Sequence, residues 1–346
     1  FVSSTPRTGA GRLAVPASVP EPNAESSPRR RWLLALVTLA GALFGWAAYQ
    51  AQLAGLQESI RSVAGGWLAL AVLVRLASVG IKALRLAVAL DAPAHCRAHV
   101  VVATYIAVAG NALLPARLGE LARAVVLQRR MQLPITRTLS CALVTQLLDW
   151  QLLVLLLLAL LAWGLGQRQL RPEYAWLLLL VSVAALLVLS GLDARAAWPR
   201  RILRRLPPRL VGRVERLLHE MSQGALGLRT FRVAAPLAVL TIAVWSCEAL
   251  GLALALRAFG IAPRPLLVLT SLTLLNLGVA VPLTPGNVGT HQVLSVLALG
   301  LFAVPASKAF LFSVGSSALT VLSSATIGGV FFIREGLRLA ELRKHA

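Results

Sequence analysis

The chain has 346 residues, 58 % of them hydrophobic and 14 % charged, with a mean hydropathy of +0.76. A soluble domain of this size could not hide so much apolar surface, so the composition excludes one and points to an all-α polytopic membrane protein. Lys and Arg outnumber Asp and Glu 34 to 13, a formal charge of +21; the arginines are not interleaved with aromatics as in nucleic-acid binders, so the excess reads as cytoplasmic loops and no nucleic-acid partner is expected.

Residues 1–31 are rich in Pro, Ser, Ala and Arg without hydrophobic periodicity, and are expected to be a disordered basic cytoplasmic tail. Arg29, Arg30 and Arg31 then precede an apolar run, 32–49. Its apolar core is long for a cleaved signal peptide and more spans follow, so it is read as a retained helix. A second span, 67–90, carries Arg75, Lys82 and Arg85 within an arc of about 80°. Each would cost about 2.5–3.5 kcal/mol at a helix centre facing lipid, so the stripe points inward. For Lys82 and Arg85 the alternative is a snorkel to the cytoplasmic surface, the favoured reading for Arg85. Arg75 lies too deep for that; it is expected to face a cavity and to compensate Glu120, Asp149 or Glu248.

In the next loop, His95, Cys96 and His99 lack further ligands, and Cys96, Cys141 and Cys247 offer no disulfide framework. No metal and no cofactor are expected. An apolar run over 99–114 leads into a break at 115–123, a return to 127, and Arg129-Arg130. Spans at 139–163 and 174–191 follow. Residues 192–232 hold ten arginines against Asp193, Glu215 and Glu220, and read either as a solvated loop or as an amphipathic helix on an anionic leaflet. Beyond them come a span at 233–259 with Trp245 and Glu248, a run at 266–281, a second break, a run at 288–304 and a last span at 309–333. One transmembrane domain, 32–335, is thus expected, with a basic tail at 336–346.

The two breaks share a spacing, Pro115-x-x-x-Gly119 and Pro285-x-x-x-Gly289, 170 residues apart. Proline is tolerated in the first turn of a helix and glycine permits unusual backbone angles, so each break starts a half-helix near Ala116 and near Asn287. Its free amide N–H groups and positive dipole end face the membrane interior, where they suit an anion such as phosphate. Arg117 and Arg123 add charges able to grip phosphate in bidentate fashion, with Glu120 between them. The alternative is that Arg117, Glu120 and Arg123 are a salt-bridge network that only fastens the segment.

Parity bears on topology. If every apolar run crossed once, the ten arginines of 192–232 would lie opposite Arg29–Arg31, against the positive-inside rule. If 99–127 and 266–304 are instead re-entrant hairpins entered from opposite sides, both termini and 192–232 become cytoplasmic. Trp32 and Trp198 then mark the inner interface, and Trp67, Trp163 and Trp176 the outer one. The expectation is six crossings, two hairpins and an inverted repeat of the kind transporters use.

At these residues the chain resembles the lysylphosphatidylglycerol synthase transmembrane, or flippase-like, family. The pattern Asn-x-x-x-Pro-x-Arg-x-Gly-Glu-x-x-Arg is matched by Asn111, Pro115, Arg117, Gly119, Glu120 and Arg123, and Pro-x-x-Pro-Gly-x-x-Gly by Pro282, Pro285, Gly286 and Gly289. The resemblance covers about 32–335 and implies translocation of anionic or aminoacylated lipids between leaflets. No soluble synthase domain is found up to Ala346, so that activity is not expected, and Gln292 stands where many relatives carry Glu. The candidate substrate site is therefore Asn111, Pro115, Arg117, Gly119, Glu120, Arg123, Arg75, Pro285, Gly286, Asn287, Gly289 and Gln292. Without a metal cluster, a Ser/His/Asp set or paired carboxylates in one motif, the protein is expected not to be an enzyme. The expected function is an inner-membrane flippase for a phosphate-bearing lipid, oligomeric or not. The rivals are a small-solute or ion-coupled transporter and an accessory subunit of lipid-linked envelope biosynthesis.

Overall fold

A computed structural model describes residues 63–113, 118–163, 230–279 and 287–334, with scattered positions within 38–49, 176–184 and 212–215. The expected spans at 32–49 and 174–191 fall largely outside the described residues. The 192–232 segment, both tails, Pro115, Ala116, Arg117, Pro282, Pro285 and Gly286 do so too.

Eight helices are described: α1 (Gly65–Ala89), α2 (Arg97–Leu113), α3 (Leu118–Met131), α4 (Ile135–Ala162), α5 (Phe231–Ala258), α6 (Pro265–Gly278), α7 (Thr290–Gly300) and α8 (Ala306–Arg334). The chain is an all-α polytopic membrane protein. Four helices, α1, α4, α5 and most of α8, are long and apolar enough to cross a membrane. They expose residues such as Leu73, Leu155, Val239 and Leu322, as a lipid-facing surface allows. Helices α2, α3, α6 and α7 have 17, 14, 14 and 11 residues. At 1.5 Å per residue these are about 16–25 Å long, short of a hydrocarbon core of about 30 Å.

The short helices form two hairpins, α2 on α3 and α6 on α7. Proline and glycine set their edges. Pro265 opens α6, where its missing N–H costs no bond, and Gly289 caps α7 with φ at +83°, a backbone that favours glycine.

Among the described residues, each half thus runs a long apolar helix, a hairpin and a second long apolar helix. Each half also has its own apolar core. Leu86, Ile106, Leu127 and Cys141 pack together in the first, and Leu256, Leu267, Leu299 and Phe312 in the second. Exchanging the halves maps every strongly packed helix pair onto another such pair: α2 with α8 becomes α6 with α4, and α3 with α4 becomes α7 with α8. Among the described helices only α1 with α5 maps onto itself, so the pseudo-twofold passes between them. These two helices run antiparallel, since Ala64 N–H at the start of α1 donates to the Ala258 carbonyl at the end of α5 (2.9 Å). Further along, Ser78 and Lys82 face Glu248, and Arg85 reaches Thr241. Antiparallel equivalents are what an inverted repeat requires.

A polar cavity between the two halves

A cavity of about 420 Å³ opens beside the α1–α5 contact and is bordered by α1, α2, α5, α6, α7 and α8. Its charged wall comes from α1 and α5. Lys82 Nζ donates to Glu248 Oε1 at 2.7 Å, Ser78 Oγ donates to the same oxygen at 2.8 Å, and Arg75 Nη1 lies 3.7 Å from Oε2. Two cations against one carboxylate leave a net charge of +1 on this wall. In a low-dielectric surround such a group favours an anionic ligand. Arg75 thus takes the place expected of it, with Glu248 as its partner.

The stripe is split, however. Arg85 does not snorkel: its side chain is only 4 % exposed and grips Asp149 with both terminal nitrogens, at 2.5 and 2.8 Å. Thr241 Oγ1 accepts a third bond at 3.1 Å, and Trp245 Nε1 donates to Asp149 Oδ1 at 2.8 Å. The expectation failed because Asp149 and Thr241 come from other helices. One helix read alone shows no acid near Arg85, so the interface looked like its only exit. Lys82 likewise holds Glu248, an arrangement the snorkel alternative leaves out.

The first hairpin folds its motif on itself. Glu120 sits in the first turn of α3, where a carboxylate is favoured by the helix dipole. Arg123 Nη2 donates to Glu120 Oε2, and Asn111 Nδ2 donates to Oε1 at 3.2 Å. Glu120 and Arg123 are not among the residues that line the cavity, whereas Asn111 is. Gly119 lies against Ala107 and Asn111, with no room for a Cβ.

At the second break, Asn287, with φ at +57°, lines the cavity. Gly289 and Gln292 act locally, for Gln292 Oε1 accepts from Gly289 N–H at 2.7 Å and closes the start of α7. Gln292 is 3 % exposed and its amide reaches Ser317 at 3.4 Å. The cavity therefore brings together Arg75, Asn111 and Asn287, one residue from each break, while the described part of the first motif beyond Asn111 packs behind it.

Several lining residues were not singled out in the sequence: Asn276, His291, Ser317, Thr320 and Ser324. Two signals were available. His291 adjoins Gln292 in the second break, and 313–326 crowds seven serines and threonines into one apolar span.

No curated protein and no solved structure matches the chain. Residues 32–328 match the family described as Lysylphosphatidylglycerol synthase TM region. That match spans the two hairpins, the α1–α5 contact and the cavity between the halves, and the chain belongs to this family.

Proposed function

We propose that this protein carries a phosphate-bearing, anionic lipid between the leaflets of the bacterial inner membrane. Its head group passes through the cavity while its acyl chains stay in the bilayer. In this reading α2–α3 and α6–α7 are re-entrant hairpins entered from opposite sides, both termini are cytoplasmic, and the protein is a transporter and not an enzyme. One observation carries it: a cavity of about 420 Å³ that holds an excess cation and several neutral polar side chains among long apolar helices, beside the contact that relates the two halves. Ionisable groups are rare at such depth and mark substrate paths by default. Arg75 and Lys82 are the first cations a phosphate would meet, with Glu248 holding them when no ligand is bound. Arg117, in the first break by sequence, and Arg123, which the structure pairs with Glu120, are the further cations of this motif.

The test is lipid movement in vesicles reconstituted with the full chain, followed with a fluorescent anionic phospholipid. A proton gradient is imposed in either direction or omitted. The parent protein should move the lipid faster than protein-free vesicles. Arg75→Leu and Lys82→Met should reduce that movement tenfold or more, since a hydrogen bond to a charged group contributes about 1.5–3 kcal/mol. Arg117→Lys and Arg123→Lys, which keep the charge and lose the planar fork, should insert normally and transport poorly. Movement no faster than in empty vesicles under every gradient, or variants that all match the parent, would overturn the proposal.

A further inference from the structure

The α8 side of the cavity carries hydroxyls and no charge, and these hydroxyls differ from those elsewhere on the same helix. On α8, Ser313, Ser323 and Thr326 turn their hydroxyls back to carbonyls of the preceding turn, at 2.7–2.8 Å. This is the usual way for such residues to hide in a membrane helix. Thr320 and Ser324 make no such bond, and neither has a side-chain hydrogen bond among the described residues; Ser324 is nonetheless only 6 % exposed, and both line the cavity. With Ser317 they follow an i, i+3, i+7 spacing, a single stripe about 10 Å long. His291 Nδ1, 3.2 Å from Ser317 Oγ, and the amides of Asn276 and Asn287 border the same space.

The oxygens of a phosphodiester only accept hydrogen bonds, so hydroxyls and side-chain amides able to accept as well as donate go beyond what a bare phosphate uses. They serve a ligand with several hydroxyls, each able to donate and accept. Within the lipid-carrier reading above, on which this rests, we propose that the head group is a glycosyl phosphate. Its phosphate lies toward Arg75 and Lys82, and its sugar ring lies along Ser317, Thr320 and Ser324, with Asn287 and His291 at the edge.

The full chain in detergent micelles is titrated with four ligands: dodecyl methyl phosphodiester, dodecyl hexosyl phosphodiester, hexose 1-phosphate and phosphatidylglycerol. The hexosyl diester should bind about tenfold more tightly than the methyl diester, which has the same charge and chain. The Thr320→Val/Ser324→Ala double variant, nearly isosteric, should weaken the hexosyl diester about tenfold and the methyl diester far less. Lys82→Met should weaken both alike. Equal binding of the two diesters, or phosphatidylglycerol binding as tightly as the hexosyl diester, would overturn the sugar assignment and leave the phosphate reading standing. Hexose 1-phosphate binding as tightly as its dodecyl ester would overturn the lipid reading and keep the sugar-phosphate site. Failure of both diesters to bind would overturn the two proposals together.

Discussion

At the scale of single residues, the three cations of α1 divide into two roles. Arg85 is a fastener. Its bidentate pair with Asp149 is buried, and Thr241 and Trp245 add one hydrogen bond each. Removing one partner of such a pair leaves a buried charge uncompensated, at a cost of about 3–5 kcal/mol. Arg85→Leu should therefore lower the thermal midpoint of the purified protein sharply, and Arg85→Leu/Asp149→Leu should recover much of the loss, because neither charge is then stranded. A double variant as unstable as the single one would show that the cost lies in packing and not in charge. Arg75→Leu should leave the midpoint nearly unchanged, since Glu248 keeps Lys82 and Ser78, and should act on lipid movement instead. Arg75 was legible in the sequence because its depth excluded an escape to the interface. Arg85 was not, because its partners are 64 and 156 residues away along the chain. Burial by a partner helix leaves no local trace.

At the scale of elements, the first hairpin depends on two glycines that face each other. A Cβ built on Gly110 would lie 2.7 Å from the Gly119 Cα, and one on Gly119 would lie 2.7 Å from the Asn111 backbone nitrogen. Small residues let membrane helices approach closely, and here the obstructing atoms are backbone, which cannot swing aside. Gly119→Ala should then splay α2 from α3 and destabilise by about 1–3 kcal/mol, read as a lower thermal midpoint. Gly80→Ala is the control: nothing lies within 4 Å of its Cβ, and alanine is the better helix former. If both variants melt like the parent, the close crossing is not what holds the hairpin. The pattern Pro-x-x-x-Gly points to this break without giving its reason. Spacing alone suggests backbone freedom at Gly119; the structure shows close contact instead, since its neighbours leave no space. At the second break spacing and structure agree, for Gly289 does adopt a left-handed angle.

At the scale of the whole molecule, hydropathy and charge were enough for the fold class, and spacing was enough to suspect two equivalent halves. The packing code was not legible, since the pairs α2 with α8 and α6 with α4 join segments some 200 and 130 residues apart. Those pairs, with the antiparallel α1 and α5, make a topological demand that can fail. The loop after α1 holds the exposed Pro93 and Ala94, and the turn after α5 holds the exposed Ala262. They are counterparts under exchange of the halves, so an inverted repeat puts them on opposite faces of the membrane. A parallel repeat would put them on the same face. The positive-inside rule then chooses the sides: Arg97, Arg129, Arg130 and Arg137 cluster near the first loop, which should be cytoplasmic. With Cys96, Cys141 and Cys247 replaced, Ala262→Cys should react with a membrane-impermeant thiol reagent in intact cells. Ala94→Cys should react only after the cells are opened. A cysteine in 192–232, such as Ser222→Cys, should behave like Ala94→Cys. Labelling of both loop positions from outside would exclude the inversion. Labelling of Ala94→Cys alone would keep the inversion and reverse its orientation, so that the ten arginines of 192–232 would no longer follow from the positive-inside rule.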